Sequence, residues 1–230
     1  MTRERGEDER NLRLFVAIEL PHDVRRALGG AIGVLKRAGV DDGLRWVRPD
    51  GIHLTLKFLG STPPAKVPAI VDALRLAVTG VPPFGLRPAG FGTFTGGRHV
   101  QTRRDWQREP RHQSIRVLWV GLDGATDQLA ELAAAVERAL EPLGYANERQ
   151  AYFGHLTLAR VRDDADRAVR ERMHAALDPY VSRSTRSGNF RPELVPAFPA
   201  FTVDRVSLIQ STLQPGGAVY AVVETFALDR

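Results

Sequence analysis

Apolar residues recur along the chain at two spacings, which predict helices alternating with strands. Four stretches carry apolar residues three or four positions apart, as on one face of a helix. They comprise Val24, Leu28, Ile32 and Leu35 after Pro21; Val67, Ile70, Val71, Leu74 and Val78 after Pro63 and Pro64; Leu129, Leu132, Val136 and Leu140; and residues 169–177. Runs rich in β-branched and aromatic residues predict strands. These are residues 12–19, 46–47, 52–59, 84–94, 115–120, 155–161, 201–210 and 219–228.

The order of these elements predicts an α+β fold. The last two strands are joined across Pro215-Gly216-Gly217, a hairpin-like connection, and no glycine-rich phosphate loop follows any strand. Both features argue against a doubly wound parallel sheet. The second half of the chain repeats the order of predicted strands and helices of the first half. We therefore predict two pseudo-symmetric lobes, each an antiparallel sheet backed by helices, within a single domain spanning residues 12–230.

A short motif occurs once in each half of the chain. It reads His53-Leu54-Thr55-Leu56 and again His155-Leu156-Thr157-Leu158. Residues i and i+2 of a strand project to the same face, so each copy directs one imidazole and one hydroxyl the same way. Two histidines can supply the base that activates water and the acid that protonates a leaving oxygen. The pair predicts hydrolysis at phosphorus.

A structural role is the main alternative for each histidine, because a lone polar residue in a strand usually lies on the solvated face. Two matching copies in a chain with only six histidines favour a shared function. No His-Glu-x-x-His motif, Gly-x-Ser-x-Gly elbow or P-loop lysine occurs. With no cysteine either, the sequence predicts no metal site and no cofactor. A ribonuclease that cuts internal bonds with the same histidine pair remains open.

Segments along nearly the whole chain resemble the RNA 2′,3′-cyclic phosphodiesterases, also called 2′-5′ RNA ligases, of the two-histidine phosphoesterase superfamily. The resemblance rests on 12–21, Trp46-Val47, 53–60, 117–121, 155–161 and the closing 206–208 and 215–220. One departure lies beside the second histidine, where Gly154 replaces the proline that is frequent in the family.

The resemblance implies a central groove that carries one motif from each lobe. It also implies that RNA 2′,3′-cyclic phosphate ends are opened to 2′-phosphates, with 2′-5′ ligation as the reverse reaction. His53 would be the proton donor and His155 the proton acceptor, with Thr55 and Thr157 holding the phosphate. Two roles stay open for Arg160, a phosphate ligand or a surface arginine at the rim, and strict alternation points it away from His155 unless a bulge intervenes. Lys57, by contrast, is in phase with His53.

The amino-acid composition indicates the class of protein and its location in the cell. With 43% hydrophobic and 26% charged residues, the chain is typical of soluble globular proteins, and no apolar run approaches the length needed to span a bilayer. Absence of cysteine favours the cytoplasm. We expect a monomer, with residues 1–11 forming a disordered tail. RNA ends or small cyclic nucleotides would be the substrates, and a binding module with little turnover is the alternative function.

Arginines are concentrated in one segment, residues 98–116. It carries six arginines and Trp106 against two acidic residues, a combination that suits RNA phosphates and bases. A solvated surface loop is the equally simple alternative, and the sequence does not decide between them.

Overall fold

A computed structural model describes residues 11–41, 43–95, 115–148, 150–181, 192–214 and 217–229. Its nine strands are β1 (Leu12–Glu19), β2 (Leu44–Trp46), β3 (His53–Thr62), β4 (Phe84–Thr95), β5 (Ile115–Gly124), β6 (Leu156–Val161), β7 (Phe201–Val203), β8 (Arg205–Gln214) and β9 (Gly217–Ala227). The α-helices in the described part are α1 (His22–Arg37), α2 (Val67–Val78), α3 (Thr126–Leu140) and α4 (Arg167–Leu177).

All nine strands belong to one sheet, in the order β7-β4-β5-β6-β3-β1-β8-β9, with β2 paired to β6. The strand pairings are antiparallel throughout the described residues. Strands β3, β1, β8 and β9 form the first lobe, and β6, β5, β4, β7 and β2 form the second. The two motif strands, β3 and β6, meet where the lobes join. This arrangement confirms the predicted α+β fold with two similar lobes.

Strand β1 shows why the sequences of the central strands are nearly continuous apolar runs. Leu14, Val16 and Ile18 are buried in the main core. Phe15 and Ala17 point to the opposite face and are also buried, in a small separate cluster with Ile209 of β8. A strand covered on both faces has no solvated side, so its sequence loses the polar alternation of a half-exposed strand.

Helices cover the core face of the first lobe. Helix α2 packs against α3, and α3 also contacts β3, the strand that carries the first motif. Apolar residues at helical spacing make this packing possible, with Ile70, Leu74 and Val78 of α2 buried alongside the stripe of α3. The opposite face of the sheet is left for the two histidines.

One predicted strand is wrong. Residues 201–210 form two strands, β7 and β8, separated at Asp204, and these lie at distant positions in the sheet: β7 pairs with β4 and β8 with β1. The chain thereby passes from the second lobe to the first.

The predicted tail, apart from Asn11, lies outside the described residues, and so does the arginine-rich segment up to residue 114. Asn11 donates a hydrogen bond to Ser61.

No helix in the described part of the chain has both the length and the apolar character to cross a membrane.

Candidate active site

The two motifs face each other at the junction between the lobes. Leu54 of β3 pairs with Leu156 of β6, and both side chains are fully buried. In an antiparallel register centred on this pair, His53 lies level with Thr157, and His155 lies level with Thr55. Neighbouring residues of a strand point to opposite faces, so all four polar side chains project away from the buried leucines, onto one face. The structure brings together the four residues predicted from the sequence.

Both imidazoles are anchored in the same way. The Nδ1 atom of His53 lies 2.9 Å from the carbonyl oxygen of Gly51, and that of His155 lies 2.9 Å from the carbonyl oxygen of Phe153. A carbonyl oxygen can only accept, so each Nδ1 carries the proton. Each Nε2 is therefore the nitrogen that gains or loses a proton, and each ring is held in the tautomer that an acid–base group needs.

Aromatic rings surround each imidazole. The Phe15 ring stacks on His53 with centroids 4.6 Å apart, and Tyr220 meets His53 edge-on at 5.1 Å. Around His155 the rings are Phe94 at 4.8 Å, Phe153 at 6.2 Å and Trp119 at 6.4 Å. Burial among these rings is the main cause that lowers the pKa of both histidines, because an apolar environment disfavours the charged imidazolium.

Charged neighbours distinguish the two histidines. Glu19 pairs with His53 across β1 and β3, and its negative charge raises the pKa of His53, opposing the effect of burial. Arg160 has the opposite influence on His155, because its positive charge lowers that pKa further. The Glu19 carboxylate accepts a hydrogen bond of 3.0 Å from the hydroxyl of Ser207, which is fully buried. The surroundings thus favour a protonated His53 relative to His155.

A one-residue bulge lies at the last leucine of each motif and reverses the direction of the side chains beyond it. In β6, Trp119 of β5 pairs with Thr157 and the next pair is Leu118 with Ala159, so Leu158 is the extra residue. Arg160 consequently lies on the face of His155 and Thr157. A bulge at this position is what Arg160 needs in order to reach the phosphate, the role that the family resemblance implies for it. Within the described part of the chain, its guanidinium has no hydrogen-bond or ion-pair partner.

The equivalent bulge in β3 shows that the alternation predicted for Lys57 is wrong. Ala17 pairs with Thr55 and Val16 with Lys57, so Leu56 is the extra residue. Lys57 therefore points to the core face, where it is buried, pairs with Glu137 of α3 and donates a 2.8 Å hydrogen bond to the carbonyl of Ala146. The Lys57 ammonium thus links β3 to helix α3 and does not belong to the site.

Tyr152 braces the second motif against the first. Its hydroxyl donates a 2.8 Å hydrogen bond to the carbonyl oxygen of Thr55, linking the segment before His155 to β3. Burial raises the pKa of this phenol well above its usual range, so it remains a donor at any ordinary pH. The hydroxyls of Thr55 and Thr157 have no partner among the described residues, which leaves them able to donate to a ligand.

Sequence reasoning missed the residues that surround the histidines. Phe15 and Glu19 alternate along β1 on the side of His53, a pattern visible in the sequence, but only strand pairing shows which motif they serve. Tyr220 and Phe94 come from strands distant in the chain. Among the described residues, no group of three or more histidine, cysteine, aspartate or glutamate side chains could hold a metal ion.

Known proteins resemble this chain in sequence and in fold. The family model described as LigT like Phosphoesterase matches residues 18–101. An RNA 2′,3′-cyclic phosphodiesterase of Thermotoga maritima is 29% identical over 92% of this chain and 93% of its own length. One of Methanothermobacter thermautotrophicus is 27% identical over 94% and 99%.

Solved structures agree in fold. A protein of Thermus thermophilus superposes with a TM-score of 0.66 at 26% identity, over 94% of this chain and 98% of its own. LigT of E. coli complexed with 3′-AMP gives 0.64 at 22% identity, over 96% and 99%.

Proposed function

We propose that this chain, which belongs to the LigT-like phosphoesterase family, hydrolyses RNA 2′,3′-cyclic phosphate ends to 2′-phosphates. One observation carries the proposal: two imidazoles with identical Nδ1 anchors present their Nε2 atoms on one face at the lobe junction. The relatives named RNA 2′,3′-cyclic phosphodiesterase, which match more than nine-tenths of the chain, support this substrate. Small cyclic nucleotides carry the same strained diester and are also substrates.

His155 is the base that activates water. Burial and the charge of Arg160 both lower its pKa, so its Nε2 is neutral and able to accept a proton near neutral pH. The hydrogen bond from Nδ1 to the Phe153 carbonyl stabilises the imidazolium that forms as the water oxygen attacks phosphorus.

His53 is the acid that protonates O3′ as the P–O3′ bond breaks. Its neighbour Glu19 favours the protonated imidazole, and the Gly51 carbonyl orients it. Cleavage of this bond leaves the phosphate on O2′. Burial still lowers the pKa of His53, so a larger fraction of His53 carries the proton as the pH falls or once the phosphate anion is bound.

Thr55, Thr157 and Arg160 bind the non-bridging oxygens. Negative charge accumulates on these oxygens in the transition state, and donors held in advance on two strands stabilise it without reorganising. The guanidinium of Arg160 adds charge-assisted hydrogen bonds. Acid, base and charge stabilisation are thereby all supplied by side chains, and we propose that the reaction needs no metal.

The test is to incubate the protein with EDTA and a short RNA that ends in a 2′,3′-cyclic phosphate, then map the product phosphate. We expect full turnover and a 2′-phosphate. Activity that is lost with EDTA and restored by a divalent ion would overturn the metal-independent mechanism. Binding of the RNA without turnover would instead favour the alternative, a binding module. Cleavage within an RNA that lacks a cyclic end would identify an internal ribonuclease.

A further inference from the structure

Two arginines lie directly opposite each other on neighbouring strands at one end of the site. Arg45 of β2 pairs with Arg160 of β6 in an antiparallel register. Side chains at such paired positions project to the same face, with their Cβ atoms about 5 Å apart. Both residues are exposed. Together they form the arginine pair.

The arginine pair lies on the face of the sheet that carries the two histidines. The adjacent residues, Leu44 and Val161, also pair with each other, and both are buried in the main core. Neighbouring residues of a strand point to opposite faces. Arg45 and Arg160 therefore project away from the core, onto the face of His155.

The described part of the chain does not neutralise the arginine pair. Like charges in directly opposed positions destabilise a sheet. Asp164 is close enough to interact with the charge of Arg45, but both of its carboxylate oxygens accept hydrogen bonds from Arg162, at 3.0 and 2.9 Å. No carboxylate among the described residues forms an ion pair with Arg45 or Arg160. Two adjacent, uncompensated positive charges favour an anionic ligand.

The arginine pair continues the row of polar side chains that forms the site. Strands β3 and β2 pair with β6 one after the other, while β5 occupies the other edge of β6. Along β6, the first level of the row holds Thr55 and His155, the second holds His53 and Thr157, and the third is the arginine pair. Arg160 lies beyond Thr157 by roughly 7–10 Å along the strand.

The order of these levels follows the direction of the proposed reaction. Water activated by His155 attacks phosphorus from the first level. In an in-line displacement O3′ leaves on the opposite side, where His53 in the second level protonates it. The ribose of the cyclic-phosphate nucleotide therefore lies toward the arginine pair. The next phosphate of an RNA chain is attached to O5′ of this ribose, which brings it to the third level.

We propose that Arg45 binds the phosphate on O5′ of the terminal nucleotide, the first phosphate upstream of the cyclic one. The inference rests on the proposed function, which places the cyclic phosphate between the two histidines. Arg160 contacts the cyclic phosphate, so each charge of the arginine pair is compensated by a different phosphate. The planar guanidinium of Arg45 matches two phosphate oxygens at once. This contact selects RNA ends over cyclic nucleotides that lack a 5′-phosphate.

The opposite end of the row has no equivalent cationic pair. Beyond the bulge of β3 stands Phe58, which is 61% exposed and pairs with Phe15 of β1. A phosphate gains no charged partner from these two rings. The difference between the two ends therefore favours a single direction for the RNA chain, with its upstream phosphate at the arginine pair.

The test compares two substrates that differ only in the 5′ group. One is adenosine 2′,3′-cyclic phosphate, and the other carries an additional 5′-phosphate. We expect the wild-type kcat/KM to be about tenfold higher with the 5′-phosphate, the usual gain from a hydrogen bond between charged groups. The difference should lie in KM, because the 5′-phosphate is remote from the reacting atoms and is bound equally in the ground state and the transition state.

Substitutions then assign the preference to Arg45. Arg45→Gln should lower kcat/KM about tenfold for the 5′-phosphorylated substrate, so that the preference disappears. The other substrate should stay within about twofold of wild type, since an exposed charge that makes no contact is screened by salt. Arg45→Lys should retain part of the preference, because it keeps the charge and loses the planar fork.

Two further variants serve as controls. Arg160→Gln should lower kcat/KM for both substrates, because both carry the cyclic phosphate. Arg138→Gln, an exposed arginine on α3 in the helix layer, should change neither. The thermal unfolding temperature of Arg45→Gln should equal or exceed that of wild type, because the substitution removes one of two opposed like charges.

Equal losses on the two substrates in Arg45→Gln would assign Arg45 to the cyclic phosphate and overturn the inference. An unchanged preference in that variant would also overturn it, and a lower unfolding temperature would then show that Arg45 only supports β2. A wild-type enzyme that hydrolyses both substrates equally well would overturn this inference and leave the proposed function standing. Absence of hydrolysis of either substrate would instead overturn the proposed function.

Discussion

The two halves of the site share a backbone frame and differ in what surrounds it. Each half carries a histidine anchored through Nδ1, a threonine two residues on and a bulge at the following leucine. Beyond the bulge, the first half presents Phe58, which is 61% exposed, where the second half presents Arg160. A repeated frame can thus hold two chemically different half-sites, one with the apolar Phe58 beyond His53 and the other with the cationic Arg160 beyond His155.

The charged residues next to the two histidines also differ between the two halves. Glu19 lies beside His53 and Arg160 beside His155, so the field favours a proton on the first and disfavours it on the second. Two groups with one intrinsic pKa acquire different roles when their surroundings move the pKa values apart. The following experiments test this difference.

The largest effect should come from removing either imidazole. We expect His53→Ala and His155→Ala each to lower kcat by at least ~10², the usual contribution of one proton-transfer group. Initial rates on a cyclic-phosphate RNA, with folding checked by circular dichroism, measure this. Near-wild-type turnover in either folded variant would contradict the paired mechanism.

A substrate with a better leaving group at the O3′ position separates the two roles. It needs no acid, so it should partly rescue His53→Ala and leave His155→Ala impaired. Equal rescue of both variants, or rescue of His155→Ala alone, would reverse or abolish the assignment and leave the histidine pair intact.

Arg160→Gln tests the cationic half of the comparison. Loss of a charge-assisted contact with the phosphate should lower kcat/KM by about tenfold to a hundredfold. Arg138→Gln, an exposed arginine on α3, serves as the control and should change little. Steady-state kinetics on a cyclic mononucleotide measure both variants, because that substrate contacts only the central site. Equal effects of the two substitutions would show that Arg160 contributes only general charge.

The pH profile of kcat/KM reports both histidines in the free enzyme. The rate should fall at low pH as His155 gains a proton, and at high pH as His53 loses one. Burial lowers the pKa of both, so the maximum of the bell should lie on the acidic side of 6.5, the ordinary value for histidine. A maximum above 6.5 would contradict burial as the dominant influence.

The smallest effect should come from Glu19→Gln. Removing the negative charge lowers the pKa of His53, so the alkaline limb should move to lower pH while the acidic limb, set by His155, stays in place. The change in kcat/KM at any one pH should be less than about tenfold, and Glu19→Asp should restore the limb. Movement of both limbs, or of neither, would show that Glu19 does not act on His53 selectively.

How much the sequence predicted depends on the distance between the residues involved. Helical spacing located all four α-helices of the described chain, and the two-residue period within each motif placed each histidine on the face of its threonine. The break at Asp204 was missed, because a continuous run of β-formers does not reveal that its two ends pair with β4 and β1. Strand partners distant in the chain decide where such a run divides.

The chemistry of the site was determined by the sequence. His53 with Thr55, and His155 with Thr157, must share a face because the backbone of any strand repeats every two residues. The tertiary structure decided what lies beyond them. Bulges at Leu56 and Leu158 turned Lys57 to the core and Arg160 to the site. A bulge exists only where a strand pairs with a neighbouring strand. The contacts that place Glu19 beside His53 and Arg160 beside His155 also depend on strand pairing. Local periodicity therefore cannot predict either the bulges or these contacts.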